Sequence, residues 1–449
     1  MKTYQSVSKV IRVSAWIIIV ILVLMPFHAL LTVWLASLAG HYTLLRLWKE
    51  FLLAGLSLGC LYLLIVDTEL RKKLFGFWPA RLIGMYTLVL LVWGAIALAT
   101  SNVNAKALAY GLLIDTRFLI FFLLVWLIAS RCRLLSKKWA EILLIPAAAV
   151  VVFGLAQHFL LPYDFLKHFG YGPDTISPYE TINHNLNYIR IASTLRGANP
   201  LGAYLVIPLS VLSILLIKTK FRRRARAVFY IGMILTLIFS YSRSAWVGAA
   251  ASVLVIGWVA LKTSYQKRLA IWLAVAVVTI GGLSAFALRH NTTFEDAFLH
   301  TDHKSQVLTS SNQGHSAAFK DAAHDITHQP LGSGPGSAGP ASVYNNHPPR
   351  IAENYFLQIG QETGIIGMGL FIAINVLVGQ LLWMRRADYL SLALFGSLIG
   401  LTLVNLLSHA WADDTLAYVW WGLAGIALAP AIIDSSHKHK NAKTEQKAT

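Results

Sequence analysis

The sequence predicts an all-α integral membrane protein with about twelve transmembrane helices and two larger extracytoplasmic loops. Three observations predict this fold class. Of the 449 residues, 56% are hydrophobic and only 13% are charged, whereas soluble domains carry roughly 25% charged residues. Several apolar runs reach the ~20 residues that a helix needs to cross a bilayer. Lys and Arg cluster in alternate loops between these runs, as expected of cytoplasmic loops.

Twelve apolar runs are candidate transmembrane helices. They cover residues 13–35, 47–66, 82–100, 108–130, 140–160, 199–217, 228–240, 244–261, 269–288, 354–383, 389–407 and 416–434. The seventh run is short, and the tenth is long enough to tilt or to extend beyond the membrane. We therefore expect one polytopic membrane domain over residues 1–434, followed by a polar, disordered cytoplasmic tail over 435–449.

The basic clusters set the predicted orientation. With twelve spans, every even-numbered loop is basic, so both termini are expected to be cytoplasmic. The two long loops, about 161–198 and 289–353, then lie outside, and the second carries a weak helical pattern over 319–326. This topology accounts for the net charge of +18, so nucleic-acid binding is not expected. Cys60 in an apolar run and Cys132 in a basic loop argue against a disulfide framework.

The tenth span begins with a polar face. Four residues at helical spacing form it: Asn354, Gln358, Gln361 and Glu362. A polar face on a membrane helix points to a cavity or to a partner helix, so both a substrate site and hydrogen bonding between helices remain open. The pair Gly360 and Gly364 has the small-xxx-small spacing that is typical of helix packing.

Charged residues in unusual places are further candidates. Arg190, Arg196 and Arg243 fall on the predicted outer side, where the positive-inside rule does not account for them. Guanidinium groups suit bidentate phosphate binding, and anchoring to lipid headgroups is the alternative. Asp115 and Arg117 lie inside the fourth span, which indicates either a functional site or ion pairs with other helices.

The segment 332–339 contains a G-x-G-x-x-G pattern. A dinucleotide site requires this pattern between a strand and a helix, and an exterior loop of a helical membrane protein does not offer that setting. A flexible loop, or backbone N–H groups close to a phosphate, are the remaining interpretations. The outer histidines do not have a spacing that predicts a zinc site, so we expect no metal and no other cofactor.

Between residues 186 and 425 the sequence resembles the O-antigen ligase and O-antigen polymerase family of bacterial polytopic membrane glycosyltransferases. Four segments in a fixed order carry the resemblance: Arg190 to Leu205, Ser242-Arg243-Ser244, His315 to Gly336, and Glu353-Asn354 followed by Gly364-Ile-Ile-Gly367. Glu353 stands where the ligases of the family have a histidine that is taken as catalytic. This departure weakens the assignment as a ligase more than the assignment to the family.

The resemblance implies transfer of a glycan from a polyprenyl diphosphate carrier to an acceptor hydroxyl of a glycan or lipid. It also implies a place in the bacterial inner or plasma membrane, among membrane lipids, in the biosynthesis of cell-surface polysaccharide. Ligation and polymerisation both remain open. The implied catalytic residues are Arg190 and Arg243, which would offset the charge of the diphosphate, and Glu353, which would accept the proton of the acceptor hydroxyl.

In a second version of this mechanism Glu353 only positions the sugar, and His347 or His315 is the base. The candidate substrate-binding residues are Arg196, His315, His347, Asn354 and Gln358. The competing function is transport, as in a flippase for lipid-linked saccharides. Transporters place their binding residues near the midplane, on broken helices of repeated halves, and the sequence shows no halves. A structural scaffold is a third alternative.

Overall fold

A computed structural model describes residues 2–182, 185–261, 263, 265, 268 and 311–430. Within these residues the chain is mostly helical, as predicted. In the first part, the helices are α1 (Lys2–Leu24), α2 (His28–Ala39), α3 (Tyr42–Arg46), α4 (Trp48–Val66), α5 (Thr68–Gly76), α6 (Trp78–Ala99), α7 (Ala105–Ala129) and α8 (Arg133–Phe159). The later ones are α9 (Ala198–Lys218), α10 (Arg223–Phe239), α11 (Arg243–Ala260), α12 (Ser311–His328), α13 (Tyr355–Met384), α14 (Tyr389–Leu406) and α15 (Asp414–Leu428).

Short elements connect the long helices. A 3₁₀ turn at Met25–Phe27 joins α1 to α2 and contains Pro26, which lacks a backbone donor. A small antiparallel hairpin, β1 (Glu180–Ile182) and β2 (Asn185–Arg190), precedes α9 and pairs Glu180 with Arg190. The remaining 3₁₀ turns are Phe165–Phe169, Gly339–Tyr344 and Ala410–Ala412.

Nine helices of the described part are long and apolar enough to cross a membrane. The first of these spans is Gln5–Ala39, which combines α1 and α2. The predicted runs 228–240 and 416–434 correspond to α10 and α15, which are helices of only 17 and 15 residues. The predicted run 269–288 and the tail 435–449 lie outside the described residues. The number of twelve spans and the orientation of the termini therefore stay predictions.

The centre of the bundle is α9, whose most apolar window is 83% buried. It packs against α11 and α14, and these two cross closely because Gly248 and Gly400 have no side chain: a Cβ on either would meet the other's backbone carbonyl within 2.7 Å. Elsewhere in the bundle, α7 packs along α15. Close packing of small residues replaces the hydrophobic effect as the main attraction between membrane helices. These contacts bring the starts of α9, α11 and α13 to one end of the bundle.

Candidate functional site

A cleft of about 550 Å³ lies where the end of β2, the turn from α10 to α11 and the start of α13 meet. Its charged lining residues are Arg190, Arg243 and Glu353. Its other lining residues come from α9, the α10–α11 turn, α11, α12, the segment before α13 and the end of α14: Asn199, Tyr241, Ser244, Val247, Ser316, Phe319, Ala352, Leu406, Leu407 and Ser408. The structure thus brings together the three residues that the sequence proposed as catalytic.

Arg190 is held by a set of fixed acceptors. Its Nε donates to the carbonyl oxygen of Ser240 at 3.0 Å, and one terminal nitrogen donates to Asn199 Oδ1 at 2.5 Å. The other terminal nitrogen lies 3.5 Å from a carboxylate oxygen of Glu180. Burial lowers the pKa of Arg190, Glu180 raises it, and the nearby charge of Arg243 lowers it. An arginine remains charged at neutral pH despite such shifts.

Arg243 opens α11 and follows a tight turn. The turn reverses the chain at Tyr241, which has a φ of +50°. Because Arg190 is anchored to Ser240 in the same turn, the two guanidinium groups are neighbours whose like charges act on each other. Two arginines at the rim of one cleft form an arrangement that attracts an anion with several oxygens, such as a phosphate or diphosphate.

Glu353 has a φ of +54°, which places a non-glycine residue in the left-handed region. This conformation costs an L-amino acid about 1–2 kcal/mol, and such strained residues occur often at functional sites. The N-terminus of α13 is capped by Asn354, whose Oδ1 accepts from the N–H of Leu357 at 3.1 Å. Glu353 therefore does not cap the helix, and its side chain belongs to the lining of the cleft.

The rest of the polar face of α13 faces protein. Gln361 Nε2 donates to Asp325 Oδ2 of α12 at 2.8 Å, and Glu362 Oε1 accepts from the N–H of Gly336 at 2.8 Å. Gln358 is buried against Gly339, where a Cβ would overlap its side-chain amide. The helix predicted in the outer loop is present as α12. The sequence left open whether this face forms a substrate site or hydrogen bonds to other elements. For the residues that follow Glu353, the structure shows hydrogen bonds and packing within the protein.

The glycine-rich segment 330–339, which we call the glycine loop, is a packed element. Four of its residues have positive φ: Gly332, Gly334, Gly336 and Gly339. Its N–H groups are already engaged, because Ser333 and Gly334 donate to the carbonyls of Gln361 and Glu362 at 2.8 and 2.7 Å. Those carbonyls are free because α13 is broken at Gly364 (φ 64°, ψ −165°). The loop thus closes a helix break, and these N–H groups are not available to a phosphate.

The structure does not bring the other proposed site residues into the cleft lining. Arg196 is exposed and lies close enough to Asp413 for an electrostatic attraction between the two side chains. His347 is exposed, while Asn354 and Gln358 are buried. For His315 only the backbone, in α12, is described. Substrate binding by these five residues stays a prediction.

Asn199 and Tyr241 are among the lining residues that sequence reasoning did not single out. Asn199 lies in one of the segments that carry the family resemblance, and Tyr241 directly precedes another. Their roles were not visible, since neither a side-chain contact to Arg190 nor a left-handed backbone can be read from residue type.

Asp115 and Arg117, the charged pair of the fourth predicted span, belong to two separate networks. Arg117 pairs with Asp414 of α15 and lies 3.5 Å from Glu50 of α4. Lys49 joins the same network. Asp115 instead accepts from the hydroxyl of Tyr355 at 3.1 Å. Within the described ranges, no group of three or more His, Cys, Asp or Glu side chains is arranged to hold a metal ion.

A family model described as O-antigen ligase matches residues 228–372. This region belongs to the O-antigen ligase family. The matched O-antigen ligase region contains Arg243, α12, the glycine loop, Glu353 and the break at Gly364, while Arg190 precedes it. No curated protein matches the chain. The family match and the apolar helices together indicate a bacterial multi-pass membrane protein. The family also implies a glycosyltransferase-like enzyme of polysaccharide biosynthesis.

Proposed function

We propose that the protein transfers a glycan from a polyprenyl diphosphate carrier to an acceptor hydroxyl of a glycan or lipid. The observation that carries this proposal is the single cleft that contains two neighbouring arginines and a strained glutamate. These are the two kinds of group that the reaction needs, namely positive charge for a diphosphate and a carboxylate for a hydroxyl proton.

In the proposed reaction, the acceptor oxygen attacks the anomeric carbon of the donor sugar. The bond between that carbon and the diphosphate oxygen breaks, and negative charge grows on the leaving diphosphate. Arg190 and Arg243 stabilise this charge. The guanidinium group of Arg190 is already oriented by Ser240 and Asn199, and Arg243 lines the same cleft from the start of α11. Preorganised donors of this kind contribute most when their geometry is fixed before the reaction.

Glu353 accepts the proton of the acceptor hydroxyl as that oxygen attacks. It is favoured over His347 because it lines the cleft, whereas His347 is exposed and does not contribute to the lining. A base must lie within hydrogen-bond reach of the proton that it removes. The left-handed backbone at Glu353 supports this role, because strained residues of this kind occur often at functional sites.

Transport of a lipid-linked saccharide is the second candidate function, since a broken helix is typical of transporters. In transporters, the unwound carbonyls line the binding cavity. Here the two carbonyls released by the break at Gly364 accept hydrogen bonds from the glycine loop. The break is filled with protein, so transfer is favoured over transport.

Transfer is tested with the purified protein in liposomes, a polyprenyl diphosphate-linked oligosaccharide and a soluble acceptor. The measured product is free polyprenyl diphosphate together with a glycosylated acceptor. Arg190→Lys and Arg243→Lys should each lower the transfer rate by about 10–100-fold, because a hydrogen bond to a charged group contributes about 1.5–3 kcal/mol. The matched control is Arg386→Lys, at the opposite end of α13, where the side chain stacks on Trp383.

If Arg190→Lys and Arg243→Lys are as active as the control Arg386→Lys, the assignment of the diphosphate site is contradicted. Movement of the lipid-linked donor across the bilayer without any product would show that the protein is a flippase and not a transferase. Lipid-linked glycans from a deletion strain separate the two transferase reactions. Loss of a polymerase leaves single repeat units on the carrier, and loss of a ligase leaves full-length chains.

A further inference from the structure

Two carboxyl groups meet inside the bundle, away from the cleft. Asp115 of α7 and Glu362 of α13 are 0% and 1% exposed. They lie side by side, close enough for a hydrogen bond between the two carboxyl groups. Asp115 Oδ1 accepts from the hydroxyl of Tyr355, and Glu362 Oε1 accepts from the N–H of Gly336. Each residue thus has one oxygen with a fixed donor.

The second oxygen of each carboxyl group has no donor among the described residues. These oxygens are Asp115 Oδ2 and Glu362 Oε2. A third polar group without a partner is the hydroxyl of Tyr86 on α6, which is 0% exposed and acts electrostatically on both carboxyl groups. Buried polar atoms without partners are rare and indicate a missing proton, water or ion. Because the hydroxyl of Tyr86 comes from a third helix, it is an independent observation of an unpartnered polar atom close to this pair.

Like charges in direct contact inside a low-dielectric bundle cannot both be ionised. The groups that face the pair are Tyr86 from α6, Tyr355 from α13 and Arg117 from α7. Arg117 is the only cation among them, and it is already paired with Asp414. A proton on one carboxyl group would supply the donor that both second oxygens lack.

We propose that Asp115 and Glu362 form a buried proton-binding site whose single shared proton fastens the glycine loop to α7 and α13. The connection is direct, because the N–H group of Gly336 in this loop donates to Glu362. Loss of the proton leaves two carboxylates in contact, which repel each other and separate the loop from α7. The proposal does not rest on the proposed transferase reaction.

The first test is the infrared spectrum of the purified protein, in which a protonated carboxylic acid has its own C=O stretching band. The wild type should show this band at neutral pH. Asp115→Asn and Glu362→Gln should each remove it, because the amide then supplies the donor and the remaining carboxylate stays ionised. The control is Glu141→Gln, an exposed glutamate paired with Lys138, which should leave the band unchanged.

A wild-type spectrum without the band, or a band that survives in both variants, would overturn the proton site. The wild-type measurement stands even where a variant does not fold. A band that is absent while the spectrum responds to added sodium would replace the proton with a bound cation and would also overturn it.

The second test follows the glycine loop by electron paramagnetic resonance of a spin label on Leu331→Cys, an exposed position whose carbonyl binds the indole of Trp93. Alkaline pH should mobilise the label at the same pH at which the infrared band disappears. In Asp115→Asn the label should stay immobile over the same range, because its amide donates at every pH. A label that stays immobile in the wild type after the band is lost would overturn the role of the proton in fastening the loop.

Discussion

Gly364→Ala should be among the most damaging small substitutions in the chain, because two independent penalties coincide there. Gly364 has φ 64° and ψ −165° in the middle of α13, a combination that only glycine adopts readily. A Cβ at this position would lie 2.1 Å from the carbonyl oxygen of Pro330 and 2.5 Å from the carbonyl carbon of Leu331. Both are backbone atoms, so no side chain can rotate away.

The expected loss of stability follows from these contacts. The backbone conformation alone costs a non-glycine residue about 1–3 kcal/mol. Relief of the overlap has to move the glycine loop, and overpacking of this kind costs about 1–3 kcal/mol. The same movement breaks the hydrogen bond from the N–H of Ile365 to the carbonyl of Pro330, at 2.9 Å, which contributes about 1 kcal/mol. Together these effects predict a loss of about 3–7 kcal/mol.

The free energy of unfolding is measured by titration with SDS in mixed micelles. The matched control is Gly369→Ala, five residues further along α13, where a Cβ meets no atom within 4 Å. This control should be neutral, or stabilising by up to about 1 kcal/mol from helix propensity. If Gly364→Ala and Gly369→Ala unfold at the same SDS concentration, the break in α13 and its closure by the glycine loop are refuted.

Three further predictions follow from other parts of the structure. Glu353→Gln should lower turnover by about 10²–10⁴-fold at unchanged donor binding, and Glu353→Gly, which relieves the left-handed strain, should lose the same turnover with no loss of thermal stability; near-normal turnover would move the base to an outer-loop histidine. Lys49→Met should cost about 3–5 kcal/mol by SDS titration, since it strips a buried cation from Asp414 and Glu50, whereas Lys138→Met, in an exposed pair, should cost less than about 0.5 kcal/mol. Asp174→Cys should react with an impermeant maleimide from outside the cell and Arg223→Cys should not; the reverse pattern would invert the predicted topology.

The helices could be predicted from the sequence because their cause is local. A run of about twenty apolar residues has to be helical in a bilayer, whatever surrounds it. Nine of the twelve predicted runs accordingly appear as helices of membrane-spanning length in the described part of the chain. The hairpin at Glu180–Arg190 was not predicted, since two short polar strands carry no strong periodic signal and depend on Arg190 binding Ser240 and Asn199.

The site was partly predictable for a different reason. Arg190, Arg243 and Glu353 were singled out because each is out of place where it stands: two arginines on the predicted outer side, and a glutamate at a histidine position. Their convergence on one cleft depends on how α9, α11 and α13 pack, which no spacing in the sequence encodes. The glycine pattern of this loop was misleading for the same reason. Its glycines are required by close contacts with α7 and α13, which lie far away in the chain.

The arrangement of α13 links the buried carboxyl pair to the cleft. Glu353 stands immediately before the first turn of this helix, and that turn is tied to the bundle by Tyr355, whose hydroxyl binds Asp115 and whose N–H binds the carbonyl of Ser408. Arg190 and Arg243 sit on other elements, so the distance from the carboxylate to the arginines depends on where this turn is held. A change at the Asp115–Glu362 site should therefore act on transfer through the position of Glu353. In Asp115→Leu, which leaves the hydroxyl of Tyr355 without its acceptor, we expect the turnover number to fall more than the affinity for the diphosphate donor.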